Sequence, residues 1–182
     1  MIIGLTGSNA SGKGEASLYI TSKGFGCYSL SDILREESKK LNIEPSRENL
    51  IRLGNDLRRK NGPSFLARRV IQGLSESGNY IVDSIRNPAE IEELGKRNDF
   101  ILIGIDAPVE TRFERSLKRK RAGDPQTLQE FIEKERRENK NSSENQQLAK
   151  CLQMADVIIK NDSTIEALHR KIDETIKKKQ KT

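Results

Sequence analysis

The sequence predicts a three-layer α/β sandwich, a five-stranded parallel sheet with helices on both faces. Three observations carry that expectation. Five short runs rich in β-branched residues are separated by segments whose apolar residues fall at helical spacing. The runs lack the apolar-polar alternation of a sheet with one wet face, as strands covered on both sides do. A glycine-rich turn ending in Lys13 stands between the first run and the first helix. Strand, helix and strand repeated with crossovers of this length make parallel neighbours.

Taken in order, Ile2 to Thr6 is the first strand, and a helix begins around Gly14. Gly26 to Leu30 is the second strand, followed by Ile33, Leu34 and Leu41 on one helical face. In Pro45-Ser46-Arg47-Glu48, a Ser cap and an early acid precede Leu50, Ile51, Leu53 and Leu57, so a helix starts near Arg47 and closes at Gly62-Pro63. Tyr80 to Ser84 is the third strand, and Asn87-Pro88 opens the helix after it. Phe100 to Asp106 is the fourth, and Asp106-Ala107-Pro108 opens the next helix. Leu128, Phe131 and Ile132 mark a further helix, Asp156 to Lys160 the fifth strand, and Ser163 or Thr164 the cap of the last helix.

Composition bounds the rest. With 182 residues the chain suits one domain. Aromatics at 4% and no Trp leave Ile, Leu, Val and Ala to build the core, while 33% charged residues call for long solvated helix faces. The net charge of +6 invites a polyanionic partner. Residues 170–182, however, hold six Lys/Arg against two acids, so the remaining chain carries only +2 and a nucleic-acid face is not expected. No apolar run reaches the roughly 18 residues of a membrane span, and the Met1-Ile2-Ile3 start lacks the layout of a signal peptide, so a cytoplasmic protein is expected. Cys27 and Cys151 are expected as buried free thiols.

The chemistry begins at Gly7-Ser8-Asn9-Ala10-Ser11-Gly12-Lys13, a Gly, four residues and Gly-Lys between a strand and a helix. Such a loop turns successive N–H groups toward a polyphosphate, and the helix start adds partial positive charge behind them. Lys13 supplies a mobile cation for the β and γ phosphates. A hydroxyl for Mg²⁺ normally follows the Lys, but here Gly14 and Glu15 follow. The metal is then held through waters, by Asp83 or by another acid, and Glu15 is a first-turn acid favouring the helix start.

Gly12-Lys13-Gly14 resembles adenylate kinases, and Gly4-Leu5-Thr6-Gly7 is similar to dephospho-coenzyme A kinases. With Ser29 to Glu37, Ile85 to Glu90, Ile105 to Pro108 and Ala155 to Asp162, the chain to about residue 172 resembles a group of small P-loop kinases between those families. The resemblance implies a P-loop NTPase fold of nucleoside monophosphate kinase type with a short helical lid. It divides a single domain, 1–182, into a core (1–30, 78–108, 150–175), an acceptor-binding segment (31–77), a lid (109–140) and a basic tail (175–182).

It also implies roles. Asp32 and Arg35 occupy the stretch that holds an acceptor nucleotide. A guanidinium fork suits a phosphate, and Asp32 either caps its helix or serves as base for an alcohol acceptor. Dephospho-coenzyme A kinases carry an acid where Ser31 stands here. Asp83, at the end of the third strand, would orient Mg²⁺ through water, and Arg86 would face the acceptor phosphate, in a loop one residue shorter than in adenylate kinases. Arg47, near a helix start, is the favoured arginine of the flap that also holds Arg52, Arg58 and Arg59; Asn55 could read a base. Arg112, Arg115 and Arg119 share a helix face, and Arg115, Arg119 and Arg136 match lid arginines that close over the triphosphate. Asn161 opens the loop that passes adenine, and His169 is expected on the exposed surface. The implied activity is transfer of phosphoryl from ATP, with Mg²⁺, to a small acceptor, first a nucleoside monophosphate. The alternatives are dephospho-coenzyme A and an ATP-binding switch with no acceptor.

Overall fold

The structure, a computed structural model, describes residues 1–120, 124–139 and 145–180. Five parallel strands form one sheet: β1 (Ile2–Thr6), β2 (Gly26–Ser29), β3 (Tyr80–Asp83), β4 (Phe100–Asp106) and β5 (Val157–Lys160). Their spatial order is β2-β3-β1-β4-β5. The strand β1, which leads into the glycine-rich turn, lies in the middle, with Ile3 in register with Ile81 on one side and Ile101 on the other. This is the α/β fold of P-loop NTPases.

All five residues of β1 are buried, which explains its unbroken apolar run. Ile3 and Leu5 pack on one face with Ala16 and Ile20 of α1 (Lys13–Ser22) and with Leu168, Ile172 and Ile176 of α9 (Ile165–Lys179). Ile2 packs on the other, among Leu30 and Leu34 of α2 (Leu30–Lys40), Leu66 and Val70 of α4 (Phe65–Ile71), Ile91 and Leu94 of α5 (Pro88–Leu94) and Cys151 of α8 (Leu148–Gln153). Of the remaining helices, α3 (Arg47–Asn61), α6 (Val109–Arg119) and α7 (Leu128–Glu138), α3 and the end of α6 border the cavity at the carboxyl ends of the strands. That is where open parallel sheets bind ligands.

The caps sit where the sequence puts them. Ser46 accepts from the N–H of Asn49, Thr164 from that of Ala167, and Asn87 from that of Ala89. Three expectations are corrected. Cys27 is exposed, because β2 is an edge strand, while Cys151 is buried. His169 is not on the open surface: its ring stacks on Tyr19 at 3.7 Å and its Nε2 lies 2.9 Å from Glu15 Oε1, pinning α9 to α1. Residues from 175 do not form a loose tail, since α9 continues to Lys179 and buries Thr175 and Ile176. The helix expected from Arg47 to Gly62-Pro63 is α3, which ends at Asn61, and α4 follows it. The turn at Arg121 to Gly123, much of the polar stretch from Glu138 to Gln147, and Lys181 lie outside the described residues.

Candidate active site

The loop between β1 and α1 is shaped by two glycines that must be glycines. Gly7 has φ +145° and a Cβ there would overlap the Ile105 carbonyl; Gly12 has φ +106° and a Cβ would overlap the Asn161 amide. Asn161 occupies that contact, its Nδ2 donating to Ser11 O at 2.8 Å while its N–H donates to Asp106 O at 2.7 Å. The loop after β5 is thereby tied to the phosphate loop. Ala10 adopts φ 58°, and Ser8 O accepts from the N–H of Ser11. Ser11 Oγ is buried with no hydrogen-bond partner among the described residues, a donor free for an anion.

Lys13 Nζ donates to Gly7 O at 2.6 Å and Ser8 O at 2.9 Å. Burial first, then the positive charge of Arg86, with smaller contributions from Arg47 and Arg112, pushes its ammonium down to about 7 against the pull of Asp83. Arg86 is likewise held below its ordinary value, by burial and then by Arg47. Its Nη1 donates to Gln146 Oε1 at 3.2 Å, and no carboxylate among the described residues pairs with it. Concentrated cations that depress each other mark a place prepared for an anion.

A cavity of about 430 Å³ opens from this loop toward α2 and α3. Lys13, Arg35, Arg47, Arg58, Arg86 and Arg119 line it, against the acids Glu44 and Asp124. Apolar walls come from Leu30, Leu34, Leu50, Ile51, Leu66 and Leu148. The cavity thus offers a cationic end at the phosphate loop and an apolar body beyond it.

Several expected residues converge here. Gly7, Asn9, Lys13, Arg35, Arg47, Arg86 and Arg119 all line the cavity. Arg119 donates to Asn9 Oδ1 at 2.9 Å and to Asp124 at 3.0 Å. Arg115 lies beside the phosphate loop, donating to Asn161 O at 3.0 Å and Ser11 O at 3.4 Å. Asp83 is half-buried at the end of β3, its Oδ1 accepting from the N–H of Ser84 at 2.6 Å.

Others are not brought to the cavity. Asp32 is 65% exposed and paired with Arg35 at 2.5 Å, because the first turn of α2 points it outward. Arg136 is exposed on α7, Glu15 is turned to His169, and Gly14 has open space around it. Arg112 is not free to swing: it is buried, ion-paired with Glu135 and bonded to Ala107 O at 3.0 Å. Arg47 is held by Glu138 through two bonds of 2.9 and 2.6 Å. Sequence reasoning missed Glu90, Glu135 and Glu138 altogether, and gave Arg58 no special weight. The Glu-three-after-Asn spacing that marks a capping box was the one available signal, at Asn87 and Glu90.

For a nucleotide and its metal the residues fit. Ser11 Oγ, the loop amides and Lys13 could supply anion donors, and Asp83 could supply one of the one or two carboxylates that a phosphate-bound Mg²⁺ takes from a protein.

A model of the AAA domain family matches residues 6–133. The UPF0200 protein of Pyrococcus horikoshii is 30% identical over 185 residues, covering 98% of this chain and 97% of that protein. The UPF0200 protein of Methanosarcina mazei is 33% identical, with 96% and 93% covered. A UPF0200/UPF0201 protein of Archaeoglobus fulgidus is 34% identical across 97% of this chain, which spans 55% of that protein's length. Among solved structures, the Thermus thermophilus protein TT1252 superposes with TM-score 0.64 at 20% identity, covering 98% of this chain and 97% of that one. A shikimate kinase of Aquifex aeolicus does so with TM-score 0.54 at 20% identity, covering 97% and 96%. These two likenesses are of fold.

Proposed function

The chain belongs to the UPF0200 family and carries an AAA domain of P-loop fold, and from that premise we propose that it is an ATP-dependent phosphotransferase. Its acceptor is a small phosphate-bearing molecule, a nucleoside monophosphate first. One observation carries the reading: Arg86, half-buried and without a carboxylate partner among the described residues, shares one cavity with the Lys13 loop and with apolar walls large enough for a ring. That arrangement supports a donor phosphate at Lys13 and an acceptor phosphate at Arg86.

In this reading the loop amides, Ser11 Oγ and Lys13 hold the donor's phosphates, and Arg115 lies over its base side beside Asn161. Arg119 neutralises charge on the transferring group. Asp83 would hold Mg²⁺ through the ion's water shell, and the bound ion would supply neutralisation of the donor's phosphate charge. Arg86, Arg35 and Arg47 orient the acceptor, whose phosphate is already anionic and so needs no strong base. The exposed, paired Asp32 supports this over a hydroxyl acceptor, which would require a base inside the cavity.

The test is ADP release coupled to a screen of AMP, GMP, CMP and UMP. Product is expected with at least one, and Arg86→Ala should cut acceptor kcat/KM by roughly a hundredfold or more, as losing a charged partner does. Loss of turnover in Asp32→Asn would favour the hydroxyl acceptor instead. Tight ATP binding with no product from any acceptor would leave a nucleotide switch.

A further inference from the structure

Five arginines line the cavity, and four of them are paired with acids: Arg35 with Asp32, Arg47 with Glu138, Arg58 with Glu90 and Arg119 with Asp124, at 2.5 to 3.0 Å. Arg86 is the exception among the described residues. Its guanidinium meets an amide instead, Nη1 donating to Gln146 Oε1 at 3.2 Å. Gln146 also lines the cavity and is only 2% exposed. A neutral side chain thus stands where the other four arginines have a carboxylate.

The backbone holds this pair together. The N–H of Gln147 donates to Arg86 O at 2.7 Å, and Asn87 Nδ2 donates to Asn145 O at 2.9 Å, so the chain on both sides of Gln146 is stitched to the chain around Arg86. The N–H of Arg86 is in turn bound by Glu90 Oε2 at 2.9 Å. A guanidinium has donors only, so it fixes the amide with its oxygen turned toward Arg86. The bond satisfies an amide oxygen withdrawn from water and orients one end of the guanidinium. It supplies no counter-charge. Glu138, the acid that a cation here could otherwise use, is taken by Arg47 through two bonds. The positive charge of Arg86 is therefore left to be answered from the cavity.

We infer that Gln146 is a positioning residue for acceptor recognition: by holding Arg86 with an uncharged group, it keeps that cation for a phosphate of the acceptor and makes an anionic acceptor obligatory. The inference rests on the phosphotransferase reading and deepens it. With Glu at this position the site would carry its own anion, which the acceptor's phosphate would have to displace. With Gln, the phosphate completes a charge pair that the folded chain leaves open.

The experiment measures acceptor KM, for the best monophosphate of the screen, in wild type, Gln146→Glu and Gln146→Met. Glu is nearest to Gln in shape and keeps an oxygen for Arg86, yet it should raise acceptor KM about a hundredfold, close to the loss of the Arg86 charge itself. Met removes the bond but stays neutral, and should raise it about two- to tenfold, one hydrogen bond's worth. KM for ATP should stay within about twofold in both, since neither change touches the phosphate loop. A side chain that served only packing would give the opposite order, Glu mild and Met severe. That order, or equal values, overturns the proposal alone. A wild type that phosphorylates no monophosphate overturns this proposal and the reading beneath it together. Should Gln146→Glu fail to fold, a double-mutant cycle decides: adding Gln146→Met to Arg86→Met should leave acceptor kcat/KM within about twofold of Arg86→Met alone, because Gln146 acts through Arg86. An undiminished loss in that background overturns the proposal.

Discussion

At Lys13 the phosphate loop holds a cation at a disadvantage. Burial and the neighbouring guanidiniums, Arg86 foremost, bring its pKa to about 7 from 10.5. Between those two values the unfolded chain binds the proton that the folded chain has released, so the Lys13 contribution to stability improves as pH rises through that window. Below about 7 the full penalty is present. A polyphosphate favours the ammonium, so ATP binding at pH 8 should take up about one proton per site. Isothermal titration in two buffers of different ionisation enthalpy measures it; the uptake should vanish in Lys13→Met, and no uptake in wild type would refute the assignment. Lys13, Gly7 and Gly12 were legible because a loop's chemistry is written in consecutive residues. Asp32 and Arg136 were not, since spacing gives the helix face and only packing tells which face meets the cavity.

At the scale of elements, two helices begin with the same motif in different surroundings. At α7, Thr127 accepts from the N–H of Glu130 at 3.2 Å and Glu130 reaches back, all of it exposed. At α5, Asn87 and Glu90 make the same box, but Glu90 is wholly buried and also holds Arg58. Glu130→Ala should therefore cost about 1 kcal/mol or less, a cap's worth. Glu90→Ala strands a buried guanidinium and should cost about 3–5 kcal/mol. Urea denaturation of the two variants checks the contrast, and equal losses would contradict it. The strands and caps were readable because each is decided within a few residues: the structure moves the end of β2 from Leu30 to Ser29 and leaves β1 and β4 as expected. The pairs that assemble the site were not, since Arg58 and Glu90 are 32 residues apart, Arg47 and Glu138 91, and His169 and Glu15 154. No local periodicity links residues so distant.

For the whole molecule, charge and core overlap at the C-terminal end. Lys177, Lys178 and Lys179 close α9 directly after Thr175 and Ile176, which are buried against the sheet. Removing 177–182 should change the melting temperature little, whereas removing 175–182 also strips Ile176 from the core and should cost about 1.5–3 kcal/mol. Calorimetry of the two truncations separates them, and a melting point equally low in both would show that the lysines themselves hold the helix. The helix α9 carries five Lys/Arg against three acids, and the cations that face the cavity are a separate set. The Arg47–Glu138 pair reaches across the molecule in another sense. It joins the start of α3 to the end of α7, across 91 residues of chain. Replacing either segment by one that lacks its partner residue would orphan a charge, so the two segments are a single unit of exchange.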